Sequence, residues 1–205
     1  WRVQPKTYVT FNLKQSQYAY KDPISTLDST DTFMLVGLRW DATALTSGRF
    51  ALGQQKKKFD SAGTAAGRAD FSGTSWEGGV NWKPLTYSSV DFNTNRKTFD
   101  STGLGDFVVN QTHQVVWTHA WSSRVTSTLT GLYLNDQFSG ASAAVPAAGG
   151  ASREDTTKSV GLRIAYDMRR WLKIGADYTH GTRDSNDINF NYDRNQYMLF
   201  VAATL

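Results

Sequence analysis

The sequence predicts an all-β fold: a transmembrane up-and-down antiparallel β-barrel with about ten strands in this chain. Three observations predict it. Ten stretches alternate in polarity, the connections between them are long and short in turn, and tryptophans gather beside the short ones. In an outer-membrane barrel tight turns face one compartment and long loops the other, so connection lengths alternate. A soluble sandwich has no reason to sort its loops in this way.

The stretches run roughly over residues 6–20, 32–42, 47–57, 71–82, 86–97, 111–120, 124–136, 156–166, 171–183 and 195–205. Successive strand side chains point to opposite faces, so each stretch divides into a lipid side and a lumen side. The first carries Val9, Phe11 and Leu13, with Lys14 on the hydrophilic face. In the second, Met34, Val36, Leu38 and Trp40 share one face, and Asp31, Arg39 and Asp41 lie on the other with Phe33, Leu35 and Gly37. The third runs into Lys56-Lys57-Lys58. The fourth sets Trp76, Val80 and Trp82 against Ser75, Glu77 and Asn81, and the fifth sets Val90 and Phe92 against Asp91, Asn93 and Asn95. The sixth is ambiguous, because Val115, Val116 and Trp117 are all apolar, and the seventh follows it through a tight turn.

In the eighth stretch Val160, Leu162, Ile164 and Tyr166 oppose Ser159, Arg163 and Asp167. In the ninth, Leu172, Ile174, Ala176 and Tyr178 oppose Lys173, Asp177, Thr179 and Arg183. The last puts Tyr197, Leu199, Val201, Ala203 and Leu205 on one face, the amphipathic ending that outer-membrane barrels show. Globular strands average about five or six residues, whereas a tilted membrane crossing needs about nine to eleven. The lengths here favour the crossing.

The short connections are 43–46, 83–86, 121–124 and 167–170, and beside them sit Trp40, Trp82, Trp121 and Trp171. An indole has an apolar body and one N–H donor, which suits the boundary between hydrocarbon and headgroups, so these four are read as the periplasmic girdle. A tryptophan near a hairpin can also plug a core. The long connections, 21–31, 58–70, 98–110, 137–155 and 184–194, are rich in Gly, Ser, Thr, Asp and Asn. The small-residue stretch 139–150 is expected to be mobile.

The 205 residues are read as a single outer-membrane barrel domain over 1–205, or the C-terminal portion of one. Mean hydropathy is negative, and no apolar run approaches the roughly eighteen residues of a membrane helix. A barrel escapes that test, since only alternate residues need be apolar. There is no cysteine, which excludes a disulfide framework and a thiolate metal site. The net charge of +4 is spread along the chain, which argues against nucleic-acid binding. The one basic run, Lys56-Lys57-Lys58, reads as a solvated charge run or as a contact for lipopolysaccharide phosphates. The chain opens at Trp1 without an initiator Met or signal peptide, so a processed or truncated form is expected, with no plug before the first strand.

Signals for chemistry are weak. His180 with Asp184 and Ser185 suggests an acyl hydrolase, but alternation puts His180 on the lipid side with Tyr178. His113 and His119 have no acidic partner at ligand spacing, Gly103-Leu104-Gly105 lacks the strand-to-helix context of a dinucleotide loop, and Asp184, Asn186, Asp187 and Asp193 lack EF-hand order. No catalytic residue, metal site or cofactor is expected. The lumen-lining candidates are Lys14, Arg39, Glu77, Asp91, Asn93, Arg163, Asp177 and Arg183.

Several segments resemble a known family: Gly37-Leu38-Arg39-Trp40-Asp41-Ala42-Thr43 through Thr46-Ser47-Gly48 and Gly53; Trp117-Thr118-His119-Ala120-Trp121-Ser122-Ser123-Arg124; and Arg170-Trp171-Leu172 with Tyr178 and Arg183-Asp184-Ser185-Asn186 to Tyr192-Asp193-Arg194-Asn195. They resemble the putative β-barrel porin 2 family, EpsL-like outer-membrane proteins associated with exopolysaccharide biosynthesis and export operons. Members are longer, so the chain is similar to their C-terminal portion. The resemblance implies a passive, non-enzymatic conduit for a secreted polysaccharide in the bacterial outer membrane. It implies as partners membrane lipid, lipopolysaccharide, the polysaccharide and other export-machinery components. A barrel enzyme acting on lipid or peptide, or a structural or adhesive barrel binding through its loops, are the alternatives. A ten-strand barrel closed alone would be filled by side chains, since open channels appear at about sixteen strands.

Overall fold

The computed structural model describes residues 2–4, 6–22, 25–41, 45–61, 68–101, 105–140, 144–145 and 151–204. Ten long strands follow one another in a single antiparallel sheet: β1 Thr7–Tyr18, β2 Ser29–Trp40, β3 Thr46–Phe59, β4 Phe71–Leu85, β5 Ser88–Asp100, β6 Phe107–Ala120, β7 Val125–Ser139, β8 Glu154–Arg169, β9 Leu172–Ser185 and β10 Tyr192–Ala203. Each pairs with its sequence neighbours. A short segment, Arg2–Gln4, pairs with the start of β1. The only helical element among the described residues is a single 3-10 turn, Ile188–Phe190, before β10.

The strands reach further toward the long loops than the pattern of polarity indicated. Residues 98–100 and 107–110, read as loop, are strand, with Thr98 opposite Val109 and Asp100 opposite Phe107. Beyond the membrane a strand has no need of apolar residues, so its composition merges with that of a loop. At the other end two turns are tighter than expected. The β4–β5 turn is Thr86–Tyr87 and the β8–β9 turn is Arg170–Trp171. Pro84 stays within β4 because the register shifts between Trp82 and Leu85, and a proline is tolerated at such an irregularity where no ladder N–H is needed.

Most of the stretch 139–150 lies outside the described residues. Within it, Ala144 and Val145 pair with Ser152 and Ala151. Gly140 follows the end of β7 at φ +110, a backbone conformation that side chains other than glycine's rarely adopt, and a Cβ there would strike Asp106.

The oily side chains point outward. Val36, Leu38 and Leu162 are 56%, 49% and 41% exposed, and Ile174 is half-buried on the same face. The buried side chains include many polar ones: Gln55, Lys57, Ser75 and Asp155. A water-soluble globule arranges these the other way round. Lipid accepts the apolar face, and an enclosed lumen accepts the polar one.

Among the described residues no ladder joins β10 to β1. Almost all of β10 is exposed on both faces, and Leu199 reaches 86%. Among the described residues the sheet therefore has two open edges, β10 and the part of β1 beyond its short pairing with Arg2–Gln4.

Candidate lumen surface and membrane face

Strand register sorts the sequence-predicted residues. Lys14, Arg39, Glu77, Asp91, Asn93, Arg163, Asp177 and Arg183 all lie on the face opposite Val36 and Leu162. Register also shows what alternation alone could not, namely which of them meet.

On β2 and β3, Arg39 stands directly opposite Arg49. The Arg39 guanidinium lies over the Tyr8 ring at 4.8 Å, and Lys14 and Lys97 sit over Phe33 and Phe99 at 5.9 and 5.1 Å. Among the described residues none of these four cations has a carboxylate partner. Asp91 accepts a hydrogen bond from Asn81 at 2.6 Å. Arg39, Asp41, Arg49, Asn81, Asp91 and Asn93 border an open groove of 290 Å³.

On β8 and β9 the charges are matched. Arg163 grips Asp177 through Nε–Oδ1 at 2.5 Å and Nη2–Oδ2 at 2.8 Å, the fork geometry of a strong ion pair. The Phe200 ring lies 5.2 Å from the Arg163 guanidinium. It rests on Gly175, where a Cβ would collide with it. Beside the pair a groove of 370 Å³ is bordered by the hydroxyls of Thr128, Thr130, Ser159 and Thr179. Nearer the loops, Arg153 is bidentate to the buried Asp155 and stacks on Phe138 and Phe190, while Arg183 donates to Thr157 at 3.1 Å.

Only the two outer lysines of the basic run are placed as a solvated or headgroup-facing run would be. Lys56 and Lys58 project outward, but Lys57 is 1% exposed, with Nζ 2.6 Å from Asp100 Oδ1 and over the rings of Tyr18 and Phe59. Period-two alternation places the middle lysine on the opposite face from its neighbours, and that was the available signal. Gln55, which the pattern did not single out, donates to both Asp31 oxygens at 2.9 and 3.1 Å and accepts from the Thr98 N–H at 2.8 Å. Phe59, Phe107 and Val109 are buried beside this cluster with Phe71 packed against them. Tyr20 donates its hydroxyl to Asp100 at 2.9 Å, which raises the phenol above its ordinary value, with desolvation and the Asp100 charge adding to the shift. Arg68 ties the loops together: its Nε donates to Thr26 Oγ1 at 3.0 Å, and its Nη1 donates to the carbonyls of Gly105 and Asp106 at 2.8 and 2.9 Å.

At the short-turn end, Trp82, Trp121 and Trp171 are exposed, while Trp40 lies across Gly48. The structure adds to them. His119 sits among Tyr87, Trp117 and Trp121, with ring centroids 5.4, 5.5 and 4.4 Å away, and Trp117 and Trp121 donate to Ser88 and Ser127. His113 lies 2.9 Å from Thr94 Oγ1. His180 lies 3.1 Å from Asn195 Oδ1 on the outward face, and Ser185 belongs to the inward set, so the proposed His180–Ser185 couple is not assembled. Among the described residues no three His, Asp or Glu side chains converge as a metal centre would need.

A ten-strand up-and-down sheet with an apolar exterior and a polar interior is the architecture of an outer-membrane β-barrel. The chain belongs to the putative beta-barrel porin 2 family, which matches residues 1–205, and it is an outer-membrane protein. No curated protein matches it. Among solved structures it is similar to OmpTdeltaL8, a loop L8 deletion mutant of OmpT, an outer membrane protein of Vibrio cholerae, at 12% identity and a TM-score of 0.48. The similarity covers 96% of this chain and 61% of that one, so the chain spans less than two thirds of that protein's length. One expectation is corrected here. The expectation that the chain is not an enzyme does not stand, because a family described as a porin does not exclude catalysis.

Proposed function

We propose that this outer-membrane barrel is a porin-like conduit for export of an exopolysaccharide, and that the ten strands form the C-terminal portion of a wider barrel. The observation that carries the first part is the inward face. Hydroxyls of Thr128, Thr130, Ser159 and Thr179 border a groove beside the Arg163–Asp177 pair, and cations held in no ion pair lie on the same face at β2 and β3. Such groups exchange hydrogen bonds with a passing sugar chain, and cations held in no ion pair are available to the carboxylates of an acidic one. The second part rests on the free edges of β1 and β10. An unpaired strand edge is not sustained in hydrocarbon, so further strands must complete the ladder. Strands of the same polypeptide would also widen the lumen beyond what ten can enclose.

Membrane lipid, lipopolysaccharide and other components of an export machinery belong to the same reading as partners. The test is conductance of the full-length protein in planar bilayers. A stable pore blocked by an acidic exopolysaccharide, and less by a neutral one, supports the reading. A pore that neither polymer blocks, or the lack of any pore, overturns it.

A further inference from the structure

The outward face of β6 to β9 changes character across four successive rows of paired residues. Trp117, Leu129, Leu162 and Tyr178 form one row, and Val115, Gly131, Val160 and His180 the next. Then come His113, Tyr133, Lys158 and Thr182, and after them Gln111, Asn135, Thr156 and Asp184. Apolar gives way to amphipathic and then to polar, in the direction of the long loops. This is the profile of a boundary between hydrocarbon and headgroups.

A trough lies on that boundary. Gly131 has no side chain, and a Cβ built there would meet nothing within 4 Å, while its neighbours Val115 and Val160 stand out from the sheet. The resulting groove has a volume of 420 Å³, with His113, Tyr133 and His180 on its sides and Lys158 on its border. Lys158 is exposed and, among the described residues, has no carboxylate partner. Among the described residues no acid lines the groove itself, and Asp193 lies 3.7 Å from His180 Nδ1 at its side.

We propose that this trough seats a phosphorylated acyl glycolipid of the outer leaflet, with an acyl chain over Gly131 and a phosphate against Lys158. An apolar floor one side chain deep matches a hydrocarbon chain. An unpaired ammonium at headgroup level matches an anionic phosphate. The groove lies on the long-loop half of the strands, which in such barrels faces outward, where the phosphorylated lipid is a glycolipid. The inference concerns only the membrane-facing side and is independent of what the lumen carries.

The test uses the full-length protein in nanodiscs containing lipid A, phosphatidylglycerol or phosphatidylethanolamine, with lipid retained after detergent washing counted by native mass spectrometry. The wild type should retain lipid A in preference to both phospholipids. Lys158→Gln should lower that preference about fivefold, the ratio that corresponds to ~1 kcal/mol for one lysine at an anionic surface. Gly131→Leu, which fills the trough, should abolish retention while conductance and heat-modifiable migration remain those of the wild type. If Gly131→Leu fails to fold, Lys158→Gln decides alone. Equal retention of lipid A and phosphatidylglycerol by the wild type, or unchanged retention in Lys158→Gln, overturns the proposal.

Discussion

On β2 and β3 the inward-facing Arg39 stands opposite Arg49, whereas on β8 and β9 Arg163 stands opposite Asp177. Like charges directly across a ladder oppose pairing, and unlike charges support it. The first region tolerates the repulsion by laying Arg39 on Tyr8, with Lys14 and Lys97 on other rings, and so leaves its cations outside any ion pair. The second region spends its charge on a fixed fork and presents hydroxyls instead. The same residue types therefore serve a field in one place and a shaped surface in the other.

The largest effect is expected at a third arrangement, the buried pair. Lys57→Met leaves Asp100 without its counter-ion, and removing one member of a buried pair costs about 3 kcal/mol. Chemical unfolding in detergent micelles would measure it, and adding Asp100→Asn should restore part of the loss. If Lys57→Met unfolds like the wild type, the loop-end pair is not a structural clamp.

Next in size is the lumen field. Arg39→Glu with Arg49→Glu should shift the anion-to-cation permeability ratio of the full-length pore toward cations by about tenfold, read as a reversal potential across a salt gradient. The neutral double variant Arg163→Gln with Asp177→Asn should leave the ratio near that of the wild type. Equal shifts in the two would erase the distinction between the regions.

Stability should separate them by sign. Arg163→Ala should destabilise by only about 1 kcal/mol, because the Arg163 side chain is 55% exposed and solvent screens the pair. Arg39→Ala removes a repulsion and should be neutral or slightly stabilising. Loss of stability in both would show that Arg39 acts through its packing on Tyr8.

The smallest effect is one of pH. Because the Tyr20 phenol is raised above the ordinary tyrosine value of about 10 when folded, its contribution is complete below that value. It is lost as pH rises through the raised one. A phenolate absorbance titration should show one late-titrating tyrosine, absent in Tyr20→Phe.

The strands were legible because alternation is a local property. Met34, Val36 and Leu38 declare their face to any reader of three alternate positions, and the outward exposure follows. The ends of β5 and β6 were not legible, since Thr98, Asp100 and Asn110 serve equally well in a loop and in a strand that extends past the bilayer. The lumen charges could be assigned a side but not a partner. Nothing within the segment around Gln55 announces Asp31 and Thr98, which come from β2 and β5. The hub at Arg68 joins loops brought together by the sheet alone.

The sequence by itself determined the strand count, the sense of alternation and hence which face is oily, because each depends on neighbours two positions apart along one strand. Only the tertiary structure decided that Arg39 meets Arg49, that Arg163 meets Asp177, that Lys57 is buried against Asp100, and that β1 and β10 leave two open edges. Those facts depend on the offset between strands, and no residue carries that offset within its own segment.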